Sequence, residues 1–217
     1  MNRSLKPRET GYQKFLTKAE WQKCHNYVYT RLKTAPTTQA CFFTIMFTGL
    51  RVSEACSLKR ENFNKDFSIL NYSLLKTKGR IHTISIPSQL QTLLQIYFVK
   101  YSKHFRDGYM FPPYQNQSNN SHITRTTMLV WVKRMREATG ITDFYYTKKC
   151  GKRLYRLSCH TFRHFACWRY YKSSGNCIKT VQEMIGHKRP DTTAIYIKAL
   201  RNREQDYSIR SNAFAFA

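Results

Sequence analysis

The chain has 217 residues, of which 41% are apolar and 15% aromatic, and this is enough to form a core in one domain with at most short appendages. Its 37 lysines and arginines against 12 acidic residues give a formal charge of +25, which favours nucleic acid as the partner. The composition excludes a disordered chain, and no apolar run reaches the roughly 18 residues of a membrane span. A ribosome-like structural binder and a membrane-surface protein are both compatible with the charge alone.

The cysteines and the N-terminal sequence indicate the compartment. Seven cysteines, an odd number without a Cys-x-x-Cys pair, are typical of reduced and mostly buried thiols. The first ten residues, MNRSLKPRET, lack the apolar segment of a secretory signal. We therefore expect an intracellular, reducing location: the cytoplasm of a bacterium or of a viral host, or the interior of an organelle.

The first third of the chain predicts a basic arm followed by helices. Residues 1–16 form the arm, and a helix begins at the capping box T-K-A-E and covers residues 17–33. A strongly apolar helix starts near residue 37 and stops at Gly49, where the chain turns. A short amphipathic helix follows over residues 50–58.

The middle of the chain predicts one β-hairpin and one helix. Residues 66–75 and 81–86 alternate apolar with polar side chains, and the basic tip 76–80 lies between them. An amphipathic helix begins at Ser88 and ends near Tyr101.

The remainder predicts two loops and four more helices. Residues 106–121 are rich in Asn, Gln, Ser and Pro, and residues 140–156 are expected to form a mobile basic loop that faces the partner. The helices are predicted over residues 122–138, about 160–172 after a Ser158 cap, about 178–185, and from Asp191 onward. The sequence thus predicts a mostly α fold with one small antiparallel sheet (α+β).

Most of the candidate catalytic residues lie in the C-terminal third of the chain. His160 and Arg163 are three apart on a predicted helix, so they share a face and can reach one bound group. His187 follows a glycine at an exposed helix-to-loop corner, and Tyr196 lies on the last predicted helix. Taken singly, each of these residues is also compatible with an ordinary structural role.

A zinc site is the competing interpretation of this cluster. His160 and His164 have the i, i+4 spacing of two metal ligands on one helix. Thr161 stands where a His-Glu-x-x-His site has its glutamate, and no third ligand is evident. We therefore expect neither a metal nor another cofactor.

Five motifs resemble, in chain order, those of the tyrosine recombinases, also called phage-type integrases. The resemblance extends from about Leu16 to Leu200. It implies a catalytic domain over residues 17–200, preceded by the arm 1–16 and followed by a tail 201–217. The motifs are Thr48–Ala55 around Arg51, Lys76 in the hairpin tip, His160–His164, Ile185–His187 and Thr192–Tyr196.

The resemblance gives each of these side chains a role in phosphodiester cleavage. Arg51 and Arg163 would bind the non-bridging oxygens bidentately, which lysine cannot do. His160 is the candidate base and Lys76 the candidate general acid, with Lys78 competing for the latter role. The second histidine of the set, His187, would hydrogen-bond the phosphate, and Tyr196 would be the nucleophile. Glu54 either orients an arginine or forms a surface ion pair.

The resemblance also implies the reaction and the partners. The expected activity is site-specific recombination or integration of double-stranded DNA through a covalent 3′-phosphotyrosine, by a homo-tetramer, with neither metal, ATP nor a small-molecule substrate. The tail 201–217 either packs on a neighbouring subunit or is a frayed end. Two alternatives are a type IB topoisomerase, which relaxes DNA and reseals the same strand, and a DNA-binding protein that does not cut.

Overall fold

The computed structural model describes residues 15–31, 34–73, 81–113, 121–148 and 150–185. Five predictions fall wholly or largely outside the described residues: the basic hairpin tip with Lys76 and Lys78, residues 1–14 of the arm, His187, the helix with Tyr196, and the tail.

Helices dominate the described part of the chain, and four short strands accompany them. The helices are α1 (Lys18–Arg31), α2 (Pro36–Thr48), α3 (Val52–Cys56), α4 (Ser88–Tyr101), α5 (Arg125–Thr139), α6 (Cys159–Ser173) and α7 (Ile178–Ile185). The strands are β1 (Ile69–Ser73), β2 (Ile81–Ser85), β3 (Phe144–Thr147) and β4 (Arg153–Tyr155). Single 3₁₀ turns lie at Arg60–Asn62 and Ser102–His104.

Helix α2 is the centre of the core. It carries no charged side chain, and every one of its residues is buried, because α1, α3, α4 and α6 pack around it. Its threonines stay compatible with burial because their hydroxyls donate to the helix backbone, from Thr44 to the Ala40 carbonyl and from Thr48 to the Thr44 carbonyl. The predicted buried helix is therefore confirmed, with its start at Pro36.

Local signals set the helix ends as predicted. At the start of α1, the Thr17 N–H donates to the Glu20 carboxylate and the Glu20 N–H donates to the Thr17 hydroxyl. Gly49 ends α2 in the left-handed conformation, with φ of 70°, and its N–H donates to the Ile45 carbonyl. Ser158 precedes α6, as the sequence predicts.

The first hairpin pairs β1 with β2 in an antiparallel register that sets Tyr72 opposite His82 and Leu70 opposite Ile84. Leu70, Tyr72 and Ile84 face the core, whereas Ile69 faces outward. The two strands of the predicted hairpin are confirmed.

A second antiparallel hairpin, β3–β4, occupies residues 140–156, so the prediction of a mobile basic loop there is wrong. The described part of the chain accordingly has two small sheets instead of one. The pattern is hard to recognise because the strands have four and three residues, and a register shift between Phe144 and Tyr146 interrupts the alternation.

Arg156, one of the basic residues assigned to that loop, points into the protein. Its guanidinium contacts Glu20 on α1 at 2.5 and 2.8 Å and Asp143 at 2.5 and 2.9 Å, and it also donates to the Phe15 carbonyl. Burial acts to raise the pKa of Glu20, but the hydrogen bonds and charge of Arg156, together with the Thr17 cap, lower it to about 2. Arg156 therefore fastens the start of α6 to α1.

Two further features of the described residues concern the compartment. All seven cysteines are free thiols, and five of them are buried. No helix among the described residues is long and apolar enough to cross a membrane.

Candidate active site

Arg51 lies at the N-terminal end of α3, immediately after the turn that Gly49 makes possible. Its Nη1 donates to Glu54 Oε1 at 2.7 Å, and its main-chain N–H donates to Glu54 Oε2 at 2.8 Å. The Glu54 side chain is almost fully buried, whereas that of Arg51 is 26% exposed. Glu54 therefore orients this arginine from beneath, and the interpretation of Glu54 as a surface ion pair is wrong.

Arg163 is buried in the middle of α6, and its guanidinium joins two distant segments. Nη1 donates to the Gly49 carbonyl and Nη2 to the Ile185 carbonyl, both at 2.7 Å. A guanidinium carries five N–H groups, so it can hold both carbonyls and still donate to an oxyanion. Because Ile185 ends α7, Arg163 also fixes the chain two residues before His187.

The two arginines lie close enough for their charges to interact. Burial lowers the pKa of Arg163, and the positive charge of Arg51 lowers it further, although an arginine stays protonated in a protein. Glu54 and Tyr72 act to raise the pKa of Arg163. Two like charges side by side favour the binding of an anion, and bidentate donors suit a phosphate.

The histidines of α6 occupy different environments. His160 is exposed in the first turn, whereas His164 is buried, with its ring 5.4 Å from that of Phe15. An exposed and a buried side chain do not converge on one ion. Within the described ranges, no three His, Cys, Asp or Glu side chains are grouped as a metal site would require.

The structure brings together Arg51, Glu54 and Arg163 at one place and sets His160 on the helix that carries Arg163. It does not test the roles of Lys76, His187 or Tyr196, because these residues lie outside the described ranges. Tyr72 belongs to the alternating apolar and polar pattern of the hairpin, yet its hydroxyl lies within the field of the same charged cluster. No local sequence signal distinguishes such a tyrosine from a core residue.

The chain matches the model of the Phage integrase family over residues 14–203, and it therefore belongs to this family. The resemblance that the five motifs predict is thus confirmed.

Individual relatives agree with this assignment. Tyrosine recombinase XerA of Pyrococcus furiosus is 29% identical over 166 residues, which cover 76% of this chain and 51% of the relative. A tyrosine recombinase of Pseudothermotoga lettingae is 26% identical over 162 residues, which cover 75% of this chain and 49% of the relative. The chain spans about half the length of these relatives.

Solved structures show the same fold at lower identity. The crystal structure of XerA recombinase superposes with a TM-score of 0.65 and 20% identity, covering 89% of this chain and 65% of that one. The Tn1549 transposon integrase in complex with transposon right end DNA gives a TM-score of 0.65 and 16% identity, covering 96% and 69%. The predicted fold class, mostly α with a small antiparallel β component (α+β), is confirmed, with two small sheets among the described residues in place of the one predicted.

Proposed function

We propose that this chain is a site-specific recombinase that cuts and rejoins double-stranded DNA through a covalent 3′-phosphotyrosine on Tyr196. The observation that carries the proposal is the pairing of Arg51 and Arg163. These residues lie on separate helices, yet both guanidiniums are held in place, one by Glu54 and the other by two backbone carbonyls. Membership of the Phage integrase family supports the same reaction.

The chemistry that follows is an in-line exchange of one phosphoester for another. The Tyr196 oxygen attacks the phosphorus and forms a new O–P bond, while the bond from phosphorus to the 5′-oxygen breaks. His160 accepts the phenol proton, and Lys76 or Lys78 protonates the departing 5′-oxygen. Arg51 and Arg163 stabilise the negative charge that builds up on the non-bridging oxygens.

Rejoining is the same exchange in reverse. The 5′-hydroxyl of a second strand attacks the phosphotyrosine, and the tyrosine leaves with its proton restored. The ester bond is conserved throughout, so the exchange needs no external energy source. His187 is proposed to hydrogen-bond the phosphate in both directions.

The net charge of +25 supports DNA as the substrate. XerH recombinase bound to its difH substrate and the Tn1549 integrase bound to transposon DNA have the same fold. We propose that the active assembly on DNA is a homo-tetramer. Mass measurement of the complex on a defined duplex tests this number independently of cleavage.

Covalent trapping tests the proposed reaction directly. The DNA that flanks the gene is searched for inverted repeats, and nicked duplexes carrying the sequences found are incubated with the protein and resolved on denaturing gels. Wild type should form a covalent protein–DNA adduct, and Tyr196→Phe should bind the same duplexes without forming one.

Three other outcomes would contradict the proposal. DNA binding by both proteins without an adduct would support a protein that binds without cutting. Relaxation of supercoils without strand exchange between two sites would support a topoisomerase. An adduct that persists in Tyr196→Phe would place the nucleophile elsewhere.

A further inference from the structure

The Tyr72 hydroxyl is buried without a hydrogen-bond partner among the described residues. Its residue is only 4% exposed. Two other tyrosines behave differently: the hydroxyl of the buried Tyr97 donates to the Met110 carbonyl at 3.0 Å, and the hydroxyl of the half-buried Tyr170 donates to the Phe47 carbonyl at 2.9 Å. Because a buried hydroxyl normally finds a partner, the one on Tyr72 requires an explanation.

The position of Tyr72 supplies that explanation. It lies on β1 opposite His82 of β2, with ring centroids 5.9 Å apart, and His82 Nε2 is also buried without a partner among the described residues. Two polar atoms of one cross-strand pair are therefore unpaired at the same corner of the hairpin. This corner adjoins α7, whose last carbonyl is bound by Arg163.

The charged groups of the candidate active site act on this hydroxyl. Burial raises the pKa of Tyr72 to about 12, with Glu54 also raising it and Arg163 and Arg51 opposing. Tyr72 therefore keeps its proton at neutral pH, and its hydroxyl can donate a hydrogen bond. The carboxylate of Glu54 accepts hydrogen bonds from the side chain and the main chain of Arg51, and it makes none with the Tyr72 hydroxyl.

We propose that the Tyr72 hydroxyl donates a hydrogen bond to the DNA phosphate that Arg51 and Arg163 hold. The inference rests on the proposed function, since it adds a binding group to the same site. A phosphate oxygen supplies the acceptor that the hydroxyl lacks among the described residues. A neutral donor adds to the two guanidiniums without adding to their mutual repulsion.

Tyr72→Phe tests the proposal because it removes one oxygen atom and leaves the ring in place. Tyr97→Phe is the matched control, since it removes a buried tyrosine hydroxyl that donates to the Met110 carbonyl and also lies within hydrogen-bond distance of the Thr37 hydroxyl. Three quantities are compared with wild type: the free energy of unfolding without DNA, the affinity for inorganic phosphate, and the rate of adduct formation on the nicked duplexes. Phosphate affinity is taken from the rise in melting temperature at constant ionic strength, with chloride as the reference.

The two variants should behave in opposite ways. Tyr72→Phe should keep or raise the free energy of unfolding, because it removes an unpaired buried polar group, and should lower both phosphate affinity and cleavage rate about tenfold. Tyr97→Phe should lower the free energy of unfolding and leave phosphate affinity unchanged. A stability loss in Tyr72→Phe like that of Tyr97→Phe would overturn the proposal by showing that the hydroxyl has a structural partner.

Unchanged phosphate affinity and cleavage in Tyr72→Phe would also overturn the proposal, and the proposed function would then stand. If wild type forms no adduct at all, the proposed function fails. The phosphate titration still decides the role of Tyr72 in that case, because it does not depend on cleavage.

Discussion

Two glycines with the same backbone conformation allow the closeness of α2 and α6 to be tested. Gly49 ends α2 and Gly140 ends α5, and both have φ of +70°. An alanine at either position has to adopt the left-handed conformation, which destabilises the folded state by about 1–2 kcal/mol. Only at Gly49 would the added β-carbon meet a neighbour, the Cβ of Ala166 at 3.0 Å, whereas at Gly140 nothing lies within 4 Å.

The magnitudes follow from this difference. Gly140→Ala should lower the free energy of unfolding by about 1–2 kcal/mol. Gly49→Ala should lower the free energy of unfolding by a further amount of about 1–3 kcal/mol, because the added contact forces the two helices apart. Because the Gly49 carbonyl holds Arg163, and Arg51 follows two residues later, the same displacement should slow cleavage about 10²-fold.

Urea denaturation followed by circular dichroism measures the stabilities, and adduct formation measures the rates. Gly140→Ala should cleave at the rate of wild type. Equal stability losses in the two variants, or cleavage by Gly49→Ala at the wild-type rate despite its stability loss, would contradict the predicted contact between position 49 and Ala166.

Three further predictions concern ion pairs and hydrogen bonds. Arg163→Lys should lower the free energy of unfolding by about 1.5–3 kcal/mol, because a lysine keeps at most one of two charged hydrogen bonds to backbone carbonyls. Glu54→Gln should slow cleavage about tenfold, because its neutral amide holds Arg51 less firmly. Glu20→Gln should lower the free energy of unfolding by about 1–2 kcal/mol at pH 7. This is roughly half of the free energy that corresponds to lowering the pKa of Glu20 to about 2, because the pair with Arg156 is partly exposed to solvent. The folded pKa is depressed, so this cost should be complete above pH 4.5 and disappear as the pH falls towards 2.

Matched variants make these predictions specific. Arg169→Lys changes an exposed arginine of the same helix α6 and should cost no more than about 1 kcal/mol in thermal denaturation. Glu61→Gln removes an equal charge from an exposed position and should leave cleavage unchanged in the adduct assay. A stability difference between wild type and Glu20→Gln that is constant from pH 7 to pH 3 would contradict the assignment of Glu20.

The helices could be predicted because their signals are local. The T-K-A-E capping box, the apolar run of α2 and the glycine at its end each act within a few residues, and all three have the predicted effect. The β3–β4 hairpin escaped prediction because Arg156 looks like one more solvated charge in a basic segment. Its partners Glu20 and Asp143 are 136 and 13 residues away.

The site could be predicted in outline from the order of its motifs. Sequence spacing placed Arg51 and Arg163 in the same family pattern, but it could not show that Arg163 also holds two backbone carbonyls. The surroundings of Tyr72 were equally inaccessible, since they depend on where the fold sets β1 relative to Arg51, Glu54 and Arg163. The catalytic roles of all six residues stay predictions: Arg51, Lys76, His160, Arg163, His187 and Tyr196.

The ion pair between Arg156 and Glu20 has a kinetic consequence. It closes a loop of 136 residues, and bringing such distant positions together costs about 4 kcal/mol of chain entropy before the contact contributes anything. We expect a contact between positions so far apart in the chain to form late on the folding pathway, after the helices have assembled. Weakening it should therefore shorten the lifetime of the folded state and leave the rate of its formation nearly unchanged.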